Sequence, residues 1–194
     1  MLYIVRHGRT AANAGGRIQG RLDLDLDDFG RSQAARLGAY IGKVDRVITS
    51  PLRRAVQTAG AFSTEAEIEI DERWIELDYG ALDGAPLGDV SDATWSQWYE
   101  DPTFVPAGGE SLADLQTRVE AALAEVHAAS RDRDIVVVSH VSPIKAAIAW
   151  CLGGDPLMSW RTYLEPAAIC RIGHGRFGRP VLRTWNERAS GGVG

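Results

Sequence analysis

The chain reads as an α/β protein, a three-layer sandwich in which a mostly parallel central sheet carries helices on both faces. Three observations predict this. Short runs such as "LYIV" at 2–5 and "IVVVS" at 135–139 are apolar without alternation, as strands covered on both faces must be. Stretches of helical periodicity separate such runs, and strands alternating with helices feed crossovers into a parallel sheet. No internal repeat and no long linker divides the sequence.

The elements follow in order. Leu2–Val5 is the first strand. Asp27 is the N-cap of a helix whose apolar face holds Ala34, Leu37 and Ile41. Arg46–Thr49 is a second strand, and Pro51 suits the first turn of a helix continued by "LRRAVQTAGAF", since its missing N–H costs nothing there. Glu67–Ile70 alternates like a half-buried strand. Residues 78–110 are broken by Gly, Asp and Pro, with one short helix in "DATWSQWYE". Ser111 and Asp114 make a capping-box start for an amphipathic helix to about Ser130. Ile135–Ser139 is a central strand, Pro143–Leu152 a helix, and Ala168–Ile172 and Pro180–Trp185 late strands. Residues 1–188 thus form one domain with a lid-like insert at about 78–110, and 189–194 form a flexible tail.

Composition narrows the function. With 194 residues, 45% of them hydrophobic and 24% charged, the chain can bury a core of its own. A formal net charge of −5 argues against nucleic acid and membrane surfaces as partners, so an anionic ligand must be held by a local cluster of cations. Apolar runs such as "AAIAW" fall far short of the roughly 20 residues that span a bilayer. No signal peptide opens the sequence, and a cytoplasmic protein is expected. Cys151 and Cys170 lack a CxxC pattern or a His at metal spacing; they read as reduced thiols, and no metal or other cofactor is implied. A homodimer is allowed, and nothing in the sequence fixes it.

Ligands of open α/β sheets bind beyond the carboxyl ends of the strands. Arg6-His7 sits at one such end and Ser139-His140 at another, so two of the four histidines occupy strand ends. His127 and His174 read as ordinary surface or turn residues.

"RHGRT" at 6–10, "SPLRRAVQTA" at 50–59, "ELDYGALDG" at 76–84 and "VSH" at 138–140 occur in an order that resembles the four motifs of the histidine phosphatase superfamily, which includes the cofactor-dependent phosphoglycerate mutases. The resemblance runs from Leu2 to about Leu152. The chemistry agrees with it, because phosphoryl transfer needs cations on the equatorial oxygens and a nucleophile in line with the leaving oxygen. His7 is the candidate nucleophile, Arg6 a bidentate phosphate fork, and Gly8 a residue whose missing Cβ lets backbone approach the anion. The family pattern places a phosphate ligand at the arginine directly before Ala, which is Arg54; Arg53, about 100° away on the helix, reads as solvated. His140 should be cationic or hydrogen-bonding, opposite His7, and steady the phosphorus.

The resemblance also implies phosphate contacts from Asn13 and Gln19, with loop capping as the alternative. Glu76 occupies the proton donor's place, where desolvation beside a phosphate raises a carboxyl pKa; Asp78 is the fallback and a surface salt bridge the bland reading. "LDLDLDD" fails as an EF-hand, because Ala34 falls where the bidentate Glu belongs, and reads as a turn and helix cap. Trp95, Trp98 and Tyr99 read as core packing or as the pocket's roof. Val141 stands where many relatives have Gly, which puts a backbone contact from residue 141 to phosphate in doubt, while the helix from about Pro143 still directs its dipole at the site.

A phosphomonoesterase acting on a small phosphorylated metabolite through a phosphohistidine is therefore expected, ahead of a mutase and of a binding module without turnover. Residues 85–109 contain no Lys or Arg and four acids, Asp89, Asp92, Glu100 and Asp101, which favours a substrate whose far end is neutral, apolar or cationic.

Overall fold

The computed structural model describes residues 1–65 and 67–189. Six strands form one sheet: β1 (Leu2–Arg6), β2 (Arg46–Thr49), β3 (Glu69–Ile70), β4 (Ile135–Ser139), β5 (Ala168–His174) and β6 (Pro180–Arg188), in the order β3-β2-β4-β1-β5-β6. The first four in that order run parallel, and β5 and β6 are added antiparallel. The helices are α1 (Ala11–Ala14), α2 (Asp28–Ile41), α3 (Arg53–Ala59), α4 (Asp92–Glu100), α5 (Leu112–Ala129) and α6 (Val141–Leu152).

Alternation along the strands divides the core into two layers. Leu2, Ile4, Ile135 and Val137 pack with α5 and α6 through Leu115, Val119, Ile144 and Ala147. Val5, Val47, Val136 and Val138 pack on the other face with α2 and α3 through Leu37, Ala55 and Ala59. Every residue of β4 is buried, as its unbroken apolar run requires. A small third cluster of Ile18, Val90 and Trp98 holds the insert.

The chain leaves β1 toward the α2 face and leaves β4 toward the α6 face, which makes the crevice between these adjacent strands the switch point of the sheet. Arg6 pairs in register with Ser139, so His7 and His140 emerge side by side. The His7 amide donates to Ser139 O at 3.0 Å and closes the crevice.

Several elements differ from the sequence reading. Thr10 caps the one-turn helix α1, which periodicity does not reveal because a four-residue helix has no repeat. Helix α3 starts at Arg53 with Leu52 as N-cap, leaving Pro51 outside it. Strand β3 shrinks to two exposed residues, with Ile70 61% exposed. Helix α6 begins at Val141, directly after His140 as N-cap. His127 is buried, not a surface residue; it stacks on His174 with centroids 4.0 Å apart and bonds Gly173 O at 3.3 Å. The expected caps are present: Asp27 accepts from Gly30 N at 2.7 Å and Ser111 from Asp114 N at 3.0 Å. Cys151 and Cys170 are free thiols, and no helix among the described residues is long and apolar enough to cross a membrane. Residues 190–194 of the expected tail lie outside the described residues.

Candidate active site

The carboxyl ends of β1 and β4, the start of α3 and the first turn of α6 meet at one cavity of about 240 Å³. Its walls include Arg6, His7, Asn13, Gln19 and Glu76, with His140 and Arg54 fully buried against His7. The imidazoles of His7 and His140 lie with centroids 5.0 Å apart.

Partner chemistry fixes each ring's tautomer. His7 Nδ1 lies 2.7 Å from Gly8 O, which can only accept, so Nδ1 carries the proton and Nε2 the lone pair. That lone pair receives the Arg54 Nε–H at 3.2 Å. Burial, then Arg54 and Arg6, hold the His7 pKa well below the usual histidine value, which keeps the ring neutral and nucleophilic. His140 Nδ1 also accepts from Arg54 Nε at 3.2 Å, so its Nε2–H donates to Ser50 Oγ at 2.6 Å. Burial and Arg54 push its pKa well down too, so of the two states open to His140 the structure holds the neutral, hydrogen-bonding one.

Arg54 is anchored from behind, Nη1 on Leu22 O and Nη2 on Gly20 O, both at 2.7 Å. That loop is in turn held by Asp83, which accepts from Gly20 N at 2.7 Å and Leu22 N at 2.8 Å. Arg53, its neighbour, is exposed and pairs with Asp25 at 2.8 Å. The "LDLDLDD" acids are used in this way, Asp23 accepting from Arg53 N and Asp25 from Gln57, as turn and cap. Arg6 Nη1 donates to Leu164 O at 2.6 Å, while its buried Nε has no partner among the described residues. Burial lowers its pKa to about 10, still leaving it cationic at neutral pH. Neither Arg6 nor Arg54 forms an ion pair among the described residues.

Gln19 Oε1 accepts from Thr10 Oγ1 at 2.7 Å, and its buried Nε2 is left without a partner at the cavity wall. Asn13 Oδ1 accepts from Thr10 N at 3.1 Å as part of the α1 capping box, so its NH2 is what it can offer a ligand. For Asn13 capping and lining coexist.

Glu76 is 3% exposed. Its Oε1 accepts from Leu77 N at 2.8 Å and Ser142 N at 3.2 Å, and Oε2 from Val141 N at 3.1 Å. The first amides of α6 are thus directed to this carboxyl group, and the residue 141 amide acts on Glu76. Burial raises the Glu76 pKa and outweighs those amides and Arg54, which favour the charged form. Asp78 is not among the lining residues; it accepts from Gly80 N at 2.9 Å and pairs with Arg21 at 3.2 Å.

Gly8 has a packing reason beside the one its motif suggests. A Cβ there would stand 2.5 Å from Gly30 O, so the absent side chain lets the loop after β1 lie against the start of α2, and the Gly8 amide donates to Thr58 Oγ1 at 3.0 Å. Ile18, Leu87, Trp95 and Trp160 also line the cavity, as does the exposed Arg17. Trp95 lines the cavity, whereas Trp98 is core, 1% exposed, and Tyr99 is exposed and packs tilted on Trp160 with ring centroids 5.0 Å apart. Tyr79, inside the third motif, lines the cavity and bonds Ser142 Oγ at 3.1 Å. Trp160 and Arg17 carry no local signal of such a role; only tertiary structure brings them here.

Comparison with known proteins agrees with this geometry. The sequence profile of the histidine phosphatase superfamily (branch 1) matches residues 2–188. Phosphoserine phosphatase 1 of Hydrogenobacter thermophilus is 35% identical over 167 residues, covering 82% of this chain and 79% of that protein. Glucosyl-3-phosphoglycerate phosphatase of Mycolicibacterium vanbaalenii is 36% identical over 176 residues, with 82% and 76% covered. A crystal structure of a phosphoserine phosphatase from Entamoeba histolytica with 3-phosphoglyceric acid superposes with a TM-score of 0.88 at 29% identity, covering 96% of each chain.

Proposed function

The chain belongs to the histidine phosphatase superfamily, branch 1, and on that footing we propose that it hydrolyses a small phosphomonoester through a phosphohistidine on His7. One observation carries the reading: two buried guanidiniums, Arg6 and Arg54, flank a neutral imidazole whose Nε2 lone pair is free of a proton. Burying such charges without ion pairs is costly, and a phosphoryl dianion offsets that cost.

The step is an in-line displacement. His7 Nε2 attacks phosphorus as the ester P–O bond breaks, and protonated Glu76 gives its proton to the departing oxygen. Water then surrenders a proton to the Glu76 carboxylate and attacks phosphorus, breaking the P–N bond and releasing phosphate and neutral His7. Arg6 and Arg54 meet the charge on the equatorial oxygens, with the NH2 groups of Asn13 and Gln19 as further donors, and His140 adds a donor once the bound dianion draws Arg54 away and its Nδ1 takes up a proton. In this scheme the arginines do the work of a metal, and the enzyme acts without one in the cytoplasm.

A mutase must return the phosphoryl group to a second hydroxyl and keep water from phospho-His7. The named relatives are phosphatases, and hydrolysis is the favoured outcome. Phosphate release and coupled enolase flux from 3-phosphoglycerate with 2,3-bisphosphoglycerate, measured on one preparation in magnesium buffer, with phosphate release repeated in a chelator without the coupling enzyme, test the reading. Phosphate release should exceed mutase flux and survive the chelator; the reverse of either would overturn it.

A further inference from the structure

The Glu76 carboxyl group has a partner of a different kind from its amides. Leu77, Val141 and Ser142 meet it with backbone N–H groups at 2.8, 3.1 and 3.2 Å, and an N–H donates but never accepts. Those three suit the carboxylate. They offer nothing to the O–H of the protonated acid, which is the form that burial favours. A buried hydroxyl hydrogen without an acceptor is costly, so the acid needs a neighbour that accepts in one state and donates in the other.

The Ser142 side chain is such a neighbour. It is buried in the first turn of α6, and its hydroxyl, like its amide, bonds the Glu76 carboxyl group and favours the charged form. The same hydroxyl meets Tyr79 Oη at 3.1 Å, where either oxygen can donate. Tyr79 lines the cavity and packs edge-on against Trp98, with ring centroids 5.7 Å apart. Burial, then Glu76, raise the Tyr79 pKa, so the phenol keeps its proton throughout. The chain from Tyr79 through Ser142 to Glu76 can therefore run in either direction by rotation of its hydroxyls alone.

We infer that Tyr79 and Ser142 are positioning residues whose hydroxyls reverse together as Glu76 gives up and regains its proton. This rests on the phosphatase reading above. While Glu76 is protonated and the site empty, the acid O–H donates to Ser142 Oγ and Ser142 donates to Tyr79 Oη. Once the proton has passed to the departing oxygen, Tyr79 donates to Ser142 and Ser142 to the new carboxylate, a charge-assisted bond. That bond strengthens as the proton leaves, so it favours the transition state over the resting acid. The charged groups facing Glu76 are Arg6 on β1, Arg54 on α3, Lys145 on α6 and Arg118 on α5, whose Nη2 donates to the Glu76 carbonyl oxygen at 3.2 Å; Asp83 faces the phenol. Burial lowers the Lys145 pKa to about 8, above the acid range in which Glu76 is read.

The test is the pH dependence of kcat/KM on an alkyl phosphate, whose alkaline limb reports the acid of the free enzyme. Because the bond to the carboxylate is stronger than the bond to the neutral acid, Ser142→Ala should raise the Glu76 pKa and move that limb up by about half a pH unit or more. Tyr79→Phe should move it the same way by less, and Ser142→Thr, which keeps the hydroxyl, should leave it near the wild-type position. A structural role alone would lower activity at every pH without moving the limb. An unmoved limb in Ser142→Ala, or one that moves as far in Ser142→Thr, would overturn the inference and leave the phosphatase reading standing. If Ser142→Ala does not fold, Tyr79→Phe decides in its place, and an unmoved limb there overturns the inference. Failure of the wild type to hydrolyse even p-nitrophenyl phosphate would overturn both.

Discussion

Glu76→Gln separates proton donation from phosphate binding, because the substitution keeps the shape of the side chain and removes the acid. The amide oxygen can still accept from Leu77 N and Ser142 N, which the carboxylate meets at 2.8 and 3.2 Å. The new NH2 then faces the Val141 N–H, where Oε2 now accepts at 3.1 Å, and two donors confront each other. Leaving one buried amide unsatisfied costs about 1–3 kcal/mol. The cost is partly offset at neutral pH, because burial disfavours the ionised carboxylate that Gln replaces. At roughly 2–4 °C per kcal/mol for a chain of this size, the melting temperature should fall by no more than about 10 °C, so the variant is folded in the assay. Activity should fall far more. General acid catalysis is worth about 10²–10⁴-fold when the leaving group is an alkoxide and little when it is p-nitrophenolate, which departs without a proton. The assay is kcat/KM on an alkyl phosphate and on p-nitrophenyl phosphate, with the melting curve of the same sample. Equal losses on both substrates would remove Glu76 from the acid role.

The pH profile follows from the same groups. His7 has its pKa lowered, so activity rises as pH climbs through that low value; Glu76 has its pKa raised above 4.5, so activity falls as pH climbs through that raised value. A bell with its optimum on the acid side of neutrality is expected from kcat/KM between pH 4 and 9, and an alkaline optimum would contradict the assignment. Inorganic phosphate or vanadate should stabilise the fold by relieving the uncompensated Arg6 and Arg54 charges. At 100 times the dissociation constant the gain is about 2.7 kcal/mol, or about 5–10 °C in melting temperature. Arg54→Ala should lose most of that shift; an unchanged shift would place the anion elsewhere.

The parts of this molecule legible in the sequence are those fixed by local pattern. The unbroken apolar runs of β1 and β4 identify buried neighbours, and residues that follow such strands must meet at the sheet's edge; hence His7 and His140 could be paired unseen. The family pattern, an arginine directly before Ala, selects Arg54 over Arg53, and helical geometry adds only that adjacent side chains point to different sides. The resemblance marks Glu76 as a carboxyl group at the site, but its hold on the Val141 and Ser142 amides is not legible, since it depends on α6 starting two residues before Pro143. Arg17 and Trp160 join the cavity through tertiary contacts that no periodicity encodes. The four acids along 85–109 are absent from the cavity's lining for the same reason: sequence neighbours of the roof need not line what it covers.

The proposed reaction passes the phosphoryl group through Nε2 of His7. Brief reaction with a labelled phosphomonoester, alkaline quench and peptide mapping should place an acid-labile, base-stable label on His7. Phosphorus NMR of the same digest should show the Nε2 isomer, because Nδ1 is occupied by its bond to Gly8 O. Label that persists in His7→Ala, or that sits on Nδ1, would contradict the claim.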